Sequence, residues 1–226
     1  ETKTGAIESN DMYLRKQTPE ELALIQRAAK VLPAGSFGNF DPDVIIRNGQ
    51  GARVWDVSGN QYVDFLLGSG PMFLGHKHPK VQKAVTTQLN SGTTFFANNE
   101  KGIELAERIC SAVACADQVR FVSSGSEADM YAMRIARAHR NREKILKFEG
   151  GYHGMSDYAL MSVTPKKLRN FPAAIPDSAG ISKHVRDNVI VSTFNDIEQT
   201  RRKISENSSD LAGVIVEPFQ RLIPPA

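Results

Sequence analysis

The chain has 226 residues, of which 41% are hydrophobic and 23% charged, and its formal net charge is +3. This length allows a sizeable core in one large or two small domains. The mild charge argues against a nucleic-acid surface, and no apolar run is long enough to predict a transmembrane helix.

The first 75 residues are predicted to form a small α+β segment. Acidic residues after Pro19, followed by apolar residues at a spacing near 3.6, predict a helix over 19–31 that Pro33 and Gly35 end. Three short β-rich runs separated by turn residues then predict an antiparallel meander. The runs cover residues 44–46, 53–55 and 61–65, and the turn residues are Asn48-Gly49 and Ser58-Gly59-Asn60.

From residue 76 onward the pattern is α/β. Two amphipathic helices, one from Pro79 to about 91 and one over 101–114, precede strands that alternate with helices. Such alternation predicts a mostly parallel, doubly wound sheet with helices on both faces. The predicted strands cover 119–123, 144–148, 188–192 and 212–217, and the predicted helices cover 127–140 and 196–204. Since the last strand lacks a covering helix, we expect residues 76–226 to be the first, incomplete part of a larger domain.

Residues 163–187 contain three prolines and no clear period. A loop of this length in a compact domain is usually functional or mobile, so it is either a lid over a site or a surface insertion.

Two cysteines, Cys110 and Cys115, lie five residues apart in a helical pattern. Because that spacing points them in different directions, we expect buried thiols in a reducing compartment, and hence a cytoplasmic protein. No C-x-x-C or H-E-x-x-H motif occurs, so no metal site is expected.

The strongest local signal lies in residues 121–128, where a strand is predicted to turn directly into a helix. Helix N-termini present unpaired N–H groups and a positive dipole end, which bind phosphate. Gly125 allows a close backbone approach, while Ser124 and Ser126 add hydroxyl donors. The same residues are also typical of an ordinary Ser N-cap with a capping box. Neither a P-loop nor a dinucleotide-binding signature is present.

Two further motifs follow predicted strands of the same sheet. Gly150-Gly151-Tyr152-His153-Gly154 places an aromatic ring, able to stack on a planar heterocycle, at the carboxyl end where ligands collect in open α/β sheets. A Gly-rich turn with a core tyrosine is the alternative. Glu217 ends an apolar strand before Pro218, and a solvated strand end is the alternative there. Together the three motifs bring a phosphate cradle, a stacking ring and a carboxylate to one sheet edge.

The ordered motifs resemble the class III aminotransferases of pyridoxal 5'-phosphate (PLP) fold type I, and especially the glutamate-1-semialdehyde 2,1-aminomutase branch. The matching segments are residues 54–64, 70–76, 123–128, 147–154 and 214–218. The resemblance implies that Ser124, Gly125 and Ser126 hold the PLP phosphate, that Tyr152 stacks on the pyridine ring with His153 beside it, and that Glu217 lies close to the ring.

The resemblance also implies a homodimer with its site near the subunit interface, and amino transfer through PLP and its aminated form, PMP. It assigns no catalytic residue to this chain, because the Schiff-base lysine and the aspartate that pairs with the pyridine nitrogen are expected beyond residue 226.

Two departures from the aminomutase pattern favour an aminotransferase over an aminomutase. Ser69 stands where that branch usually has Trp, and residues 168–176 replace its Gly- and Ala-rich gating loop. Since that loop is suited to retaining an intermediate, we favour an aminotransferase that moves an amino group between an amine or amino acid and a keto acid or aldehyde. Intramolecular transfer by an aminomutase is the alternative, and a non-catalytic fragment that binds a phosphate ligand is the alternative of another class.

Overall fold

The structure, a computed structural model, describes residues 15–38, 41–163 and 174–220. The chain divides into two compact units, Glu1–Glu100 and Lys101–Ala226. The domain boundary expected between residues 75 and 76 from the sequence stays a prediction.

In the first unit, helix α1 spans Pro19–Val31, as predicted. The hydroxyl of Thr18 caps its N-terminus by accepting a hydrogen bond from the N–H of Glu21, and Pro19 opens the first turn. A single 3-10 turn at Pro33–Gly35 follows the helix.

Three strands follow in an antiparallel sheet of order β1-β2-β3, which confirms the meander. They are β1 (Ile46–Gln50), β2 (Arg53–Asp56) and β3 (Gln61–Val63). The predicted turn at Asn48-Gly49 is wrong, because both residues lie inside β1 and the chain turns at Gly51, whose φ is +57°. Gly49 instead allows a close approach, since a Cβ there would lie 2.6 Å from Cγ of His76.

A buried ionic cluster ties α1 to this sheet. Glu21 is fully buried, and its carboxylate accepts from Arg15 Nη1 at 3.0 and 3.1 Å and from Ser58 Oγ at 2.6 Å. The same Arg15 nitrogen donates to Asp56 Oδ2 at 2.8 Å, and Tyr62 Oη donates to that oxygen at 2.7 Å. Hydrogen bonds from several donors offset the cost of burying two carboxylates, and they hold the pKa of each below its usual value against burial.

Two helices follow the first sheet. Helix α2 spans Pro79–Leu89 and α3 spans Glu100–Ala112, close to the predicted bounds. Because α3 ends at Ala112, Cys115 lies outside it and is exposed, whereas Cys110 is half-buried. Both thiols are free, but the expectation that both are buried is wrong.

The second unit is built on a parallel sheet of order β5-β4-β6, as expected for an α/β domain. Its elements are α4 (Gly125–Arg140), β4 (Lys144–Phe148), α5 (Lys183–Asp187), β5 (Val189–Ser192), α6 (Ile197–Glu206) and β6 (Leu211–Val214). Apolar side chains cover both sides of the central strand β4: Ile145 packs with Met133 of α4 and Ala159, while Leu146 packs with Ile190 and Leu211.

Three predicted elements of this unit differ from the structure. Residues 119–123 form no strand, because no strand of the described residues pairs with them. The last strand ends at Val214 rather than 217, and α5 occupies part of the segment 163–187 that was predicted as loop. Residues 164–173 of that segment lie outside the described residues, so the lid stays a prediction.

Candidate active site

The first motif forms the start of helix α4. Ser124 is the N-cap and its Oγ accepts from the N–H of Glu127 at 3.2 Å, while Glu127 Oε2 accepts from the N–H of Ser123 at 2.7 Å. The capping interpretation is therefore correct. The N–H groups of Gly125 and Ser126, however, have no acceptor among the described residues, and no atom lies within 4 Å of where a Cβ on Gly125 would be. Capping thus leaves these two backbone N–H donors available at the positive end of a 16-residue helix.

The second motif packs directly on the helix start. Gly154 has a φ of +84°, and a Cβ on it would lie 2.5 Å from Cα of Ser126. One residue later, the N–H of Met155 donates to Ser126 Oγ at 3.1 Å. Only glycine at position 154 permits this approach, so the Gly-rich turn is seated against the residues predicted to bind phosphate.

The third motif contacts the second. Glu217 follows β6, and its Oε2 accepts from the N–H of Tyr152 at 3.2 Å. Nearby, Nε2 of Gln220 donates to the carbonyl of Glu149 at 3.1 Å. The predicted site residues Ser124, Gly125, Ser126, Tyr152, His153 and Glu217 therefore lie at one edge of the parallel sheet, where the carboxyl ends of β4 and β6 meet.

His153 is the most buried of these residues, with 4% of its surface exposed. Burial, and then the positive charge of Lys147, lower the pKa of His153 to about 4, so its imidazole is neutral at neutral pH. Within the described ranges its Nε2 is buried without a hydrogen-bond partner, as is Oε1 of Gln220. A buried polar atom of this kind is costly unless a ligand or a water satisfies it.

Two charged residues of this region had no predicted role. Lys147 is 1% exposed, and its ammonium donates to the carbonyl of Ala159 at 3.0 Å and to that of Met161. Burial lowers its pKa to about 8, although the charges of Asp177, Glu149 and Glu217 oppose the shift. Burial also raises the pKa of the Glu149 carboxyl. The sequence signal for Lys147 was its place between the apolar residues Leu146 and Phe148 of a strand, whereas Gln220 had no such signal.

A cleft of about 450 Å³ lies away from this edge. Both signs of charge line it, including Lys144, Arg186, Asp187 and Glu206, and none of the predicted site residues does. We place the site at the sheet edge because the three motifs converge there. In the part of the chain that the structure describes, no cluster of His, Cys, Asp and Glu could hold a metal ion, and no helix is both long and apolar enough to cross a membrane.

A family model described as aminotransferase class-III matches residues 37–221. The chain belongs to the class-III aminotransferases. It is 38% identical to the glutamate-1-semialdehyde 2,1-aminomutase of Acetivibrio thermocellus over 204 residues, which are 86% of this chain and 47% of that protein.

Solved structures of transaminases agree with this assignment. An omega-transaminase from Sphaerobacter thermophilus matches with a TM-score of 0.83 and 35% identity, over 90% of this chain and 49% of that one. A transaminase with PLP bound matches with a TM-score of 0.83 and 32% identity, over 94% of this chain and 51% of that one. The fold is therefore PLP fold type I, and the chain spans about half the length of the proteins that it matches.

Proposed function

We propose that the protein is a PLP-dependent aminotransferase that moves an amino group between an amine or amino acid and a keto acid or aldehyde. The observation that carries this proposal is a pair of N–H groups, of Gly125 and Ser126, that have no acceptor among the described residues and lie at the N-terminus of α4 beside the turn that bears Tyr152. Membership in the class-III aminotransferases and the likeness to a transaminase with PLP bound support it.

The residues present fit a cofactor that carries a phosphate and a flat ring. The two N–H groups and the hydroxyl of Ser126 would hold the phosphate, with the helix dipole favouring its negative charge. Tyr152 would lie against the ring, and Glu217 holds the backbone of Tyr152 in place. Once bound, PLP supplies the electron sink for amino transfer, while the protein orients it.

The neutral state of His153 suits this role. Its pKa of about 4 means that it brings no positive charge beside the cofactor at neutral pH, and its unpartnered Nε2 remains available for one hydrogen bond. We assign no catalytic residue within this chain.

An aminomutase is the second candidate, because the similar protein of Acetivibrio thermocellus carries that name. It would move the amino group within glutamate 1-semialdehyde instead of between two molecules. Ser69, where that branch usually has Trp, favours the aminotransferase.

The experiment that separates these functions uses the whole protein with PLP and an amino donor labelled with 15N. Label that appears in the amino acid or amine formed from an added keto acid or aldehyde, detected by mass spectrometry, supports the aminotransferase. Conversion of glutamate 1-semialdehyde without a second substrate supports the aminomutase. PLP binding without either reaction would show a non-catalytic phosphate-binding protein.

We further infer that the protein is a cytoplasmic homodimer. Exposed aromatic side chains, among them Phe65, Phe96 and Phe219, are suited to being covered in an assembly, and the two free cysteines suit a reducing compartment. Light scattering of the purified whole protein measures its mass in solution, and a monomer would contradict the dimer. Recovery of the protein in the secreted fraction would contradict the cytoplasmic location.

A further inference from the structure

Lys147 occupies an unusual place for a charged side chain. It lies in β4, the middle strand of the parallel sheet, where its register partner on β5 is Val191 and its neighbours along the strand are apolar. Only 1% of its surface is exposed. An apolar residue is the ordinary occupant of such a position, because burying an ammonium group is costly.

Its hydrogen bonds go to neutral acceptors. The ammonium donates to the carbonyls of Ala159 and Met161, and it forms no salt bridge within the described residues. The carboxylates of Glu149, Asp177 and Glu217 act on it through their charge. The buried ammonium group is therefore stabilised by two backbone carbonyls, and in return it holds those carbonyls in position.

Those carbonyls belong to a closed loop that contains the site. The N–H of Gly150 donates to the carbonyl of Ser162 at 2.8 Å, so residues 150–162 leave β4 and return to its end. Tyr152 and His153 lie on the outgoing arm of this loop, and the two carbonyls bound by Lys147 lie on the returning arm. Lys147 thus connects the strand from which the loop leaves with the arm on which it returns.

We propose that Lys147 is a positioning residue of the cofactor site, whose ammonium group holds the loop 150–162 in the shape that presents Tyr152 and His153 to PLP. The part concerning PLP rests on the proposed function. Lys147 also acts on the site through its charge, since it contributes to the low pKa of His153.

The test compares Lys147→Met with Lys203→Met in the whole protein. Lys203 is also a buried lysine of this unit, with 5% exposed, and its ammonium donates to the carbonyl of Val191. Methionine keeps the approximate length of either side chain and removes its charge and donors. Three quantities are measured: hydrogen exchange of the loop amides without cofactor, the pKa of His153 by NMR, and the affinity for PLP.

In K147M we expect faster exchange in residues 150–162, a higher pKa of His153 and about 10-fold weaker PLP binding, the equivalent of one lost hydrogen bond to a charged group. K203M should leave the loop exchange and the pKa of His153 unchanged and weaken PLP binding less than about 2-fold. Equal effects of the two substitutions, or unchanged loop exchange in K147M, would overturn the proposal.

Two further outcomes are decisive. If K147M does not fold, Lys147→Gln is measured in its place, and failure of both variants to fold would overturn the proposal, because the whole fold would then require Lys147. If the wild-type protein does not bind PLP, the proposed function fails. The exchange measurement uses no cofactor, so it still decides the role of Lys147 in the loop.

Discussion

The backbone N–H of Met155 donates a hydrogen bond of 3.1 Å to Oγ of Ser126. This contact joins two motifs that lie 29 residues apart in the sequence. It orients the serine hydroxyl at the start of α4 and stops the Gly-rich turn from moving away from the helix. The geometry of the proposed phosphate site therefore depends on both motifs.

Ser126→Ala should weaken PLP binding about 10-fold and lower the free energy of unfolding by about 1 kcal/mol, since it removes one phosphate donor and leaves the N–H of Met155 without its acceptor. Fluorescence titration with PLP and urea unfolding measure the two effects. Ser178→Ala is the control, because the Ser178 hydroxyl is exposed and donates to the adjacent carbonyl of Ala179. A similar loss of affinity in both variants would contradict the assignment.

Gly154→Ala should destabilise the protein more than Gly180→Ala. Both glycines have a positive φ, +84° and +89°, so an alanine at either position is strained by about 1–3 kcal/mol. Apart from its chain neighbours, no atom of the described residues lies within 4 Å of a Cβ on Gly180, whereas a Cβ on Gly154 would lie 2.5 Å from Cα of Ser126. The difference between the two unfolding free energies therefore measures the contact between the turn and α4, and equal losses would show that this contact is absent.

The stability of the protein should fall on mild acidification because of His153. Its pKa is about 4 in the folded protein and near its ordinary value of about 6.5 in the unfolded chain, so between these values only the unfolded chain binds the proton. The stabilisation is present above about pH 6.5 and is lost as the pH falls toward 4, by about 2 kcal/mol between pH 7 and pH 5.

Urea unfolding at both pH values checks this expectation. His153→Gln should remove that part of the pH dependence. His139→Gln, at an exposed position of α4, should retain it. If the unfolding free energy depended on pH equally in the wild type and in H153Q, another group would be responsible.

Neighbouring glutamates of α1 should differ sharply in their contribution to stability. Glu21→Gln replaces a fully buried carboxylate that binds Arg15 and Ser58, and we expect a loss of about 3 kcal/mol. Glu20 pairs with Arg47 at the surface, so Glu20→Gln should cost less than about 1 kcal/mol. Thermal unfolding at neutral pH measures the stability of both variants. A small loss of stability in E21Q would mean that Arg15 does not bind Glu21 in solution.

Much of the local structure could be predicted because it depends on short-range patterns. Helix α1 begins and ends where Pro19 and Pro33 indicated, and β4 lies where its apolar run indicated. Strand pairing was less predictable. Residues 119–123 have strand-like composition but no partner among the described residues, since a strand requires hydrogen bonds to a neighbour that its own sequence does not specify.

The sequence by itself determined the α/β class and the family, and it singled out the candidate site residues, because periodicity, turn residues and ordered motifs are local properties. Only the tertiary structure decided how those residues meet. Contacts such as Ser126 with Met155, Tyr152 with Glu217, and Lys147 with the carbonyls of its loop join parts of the chain from 12 to 65 residues apart. Such contacts follow from how strands and turns pack, so no local pattern encodes them.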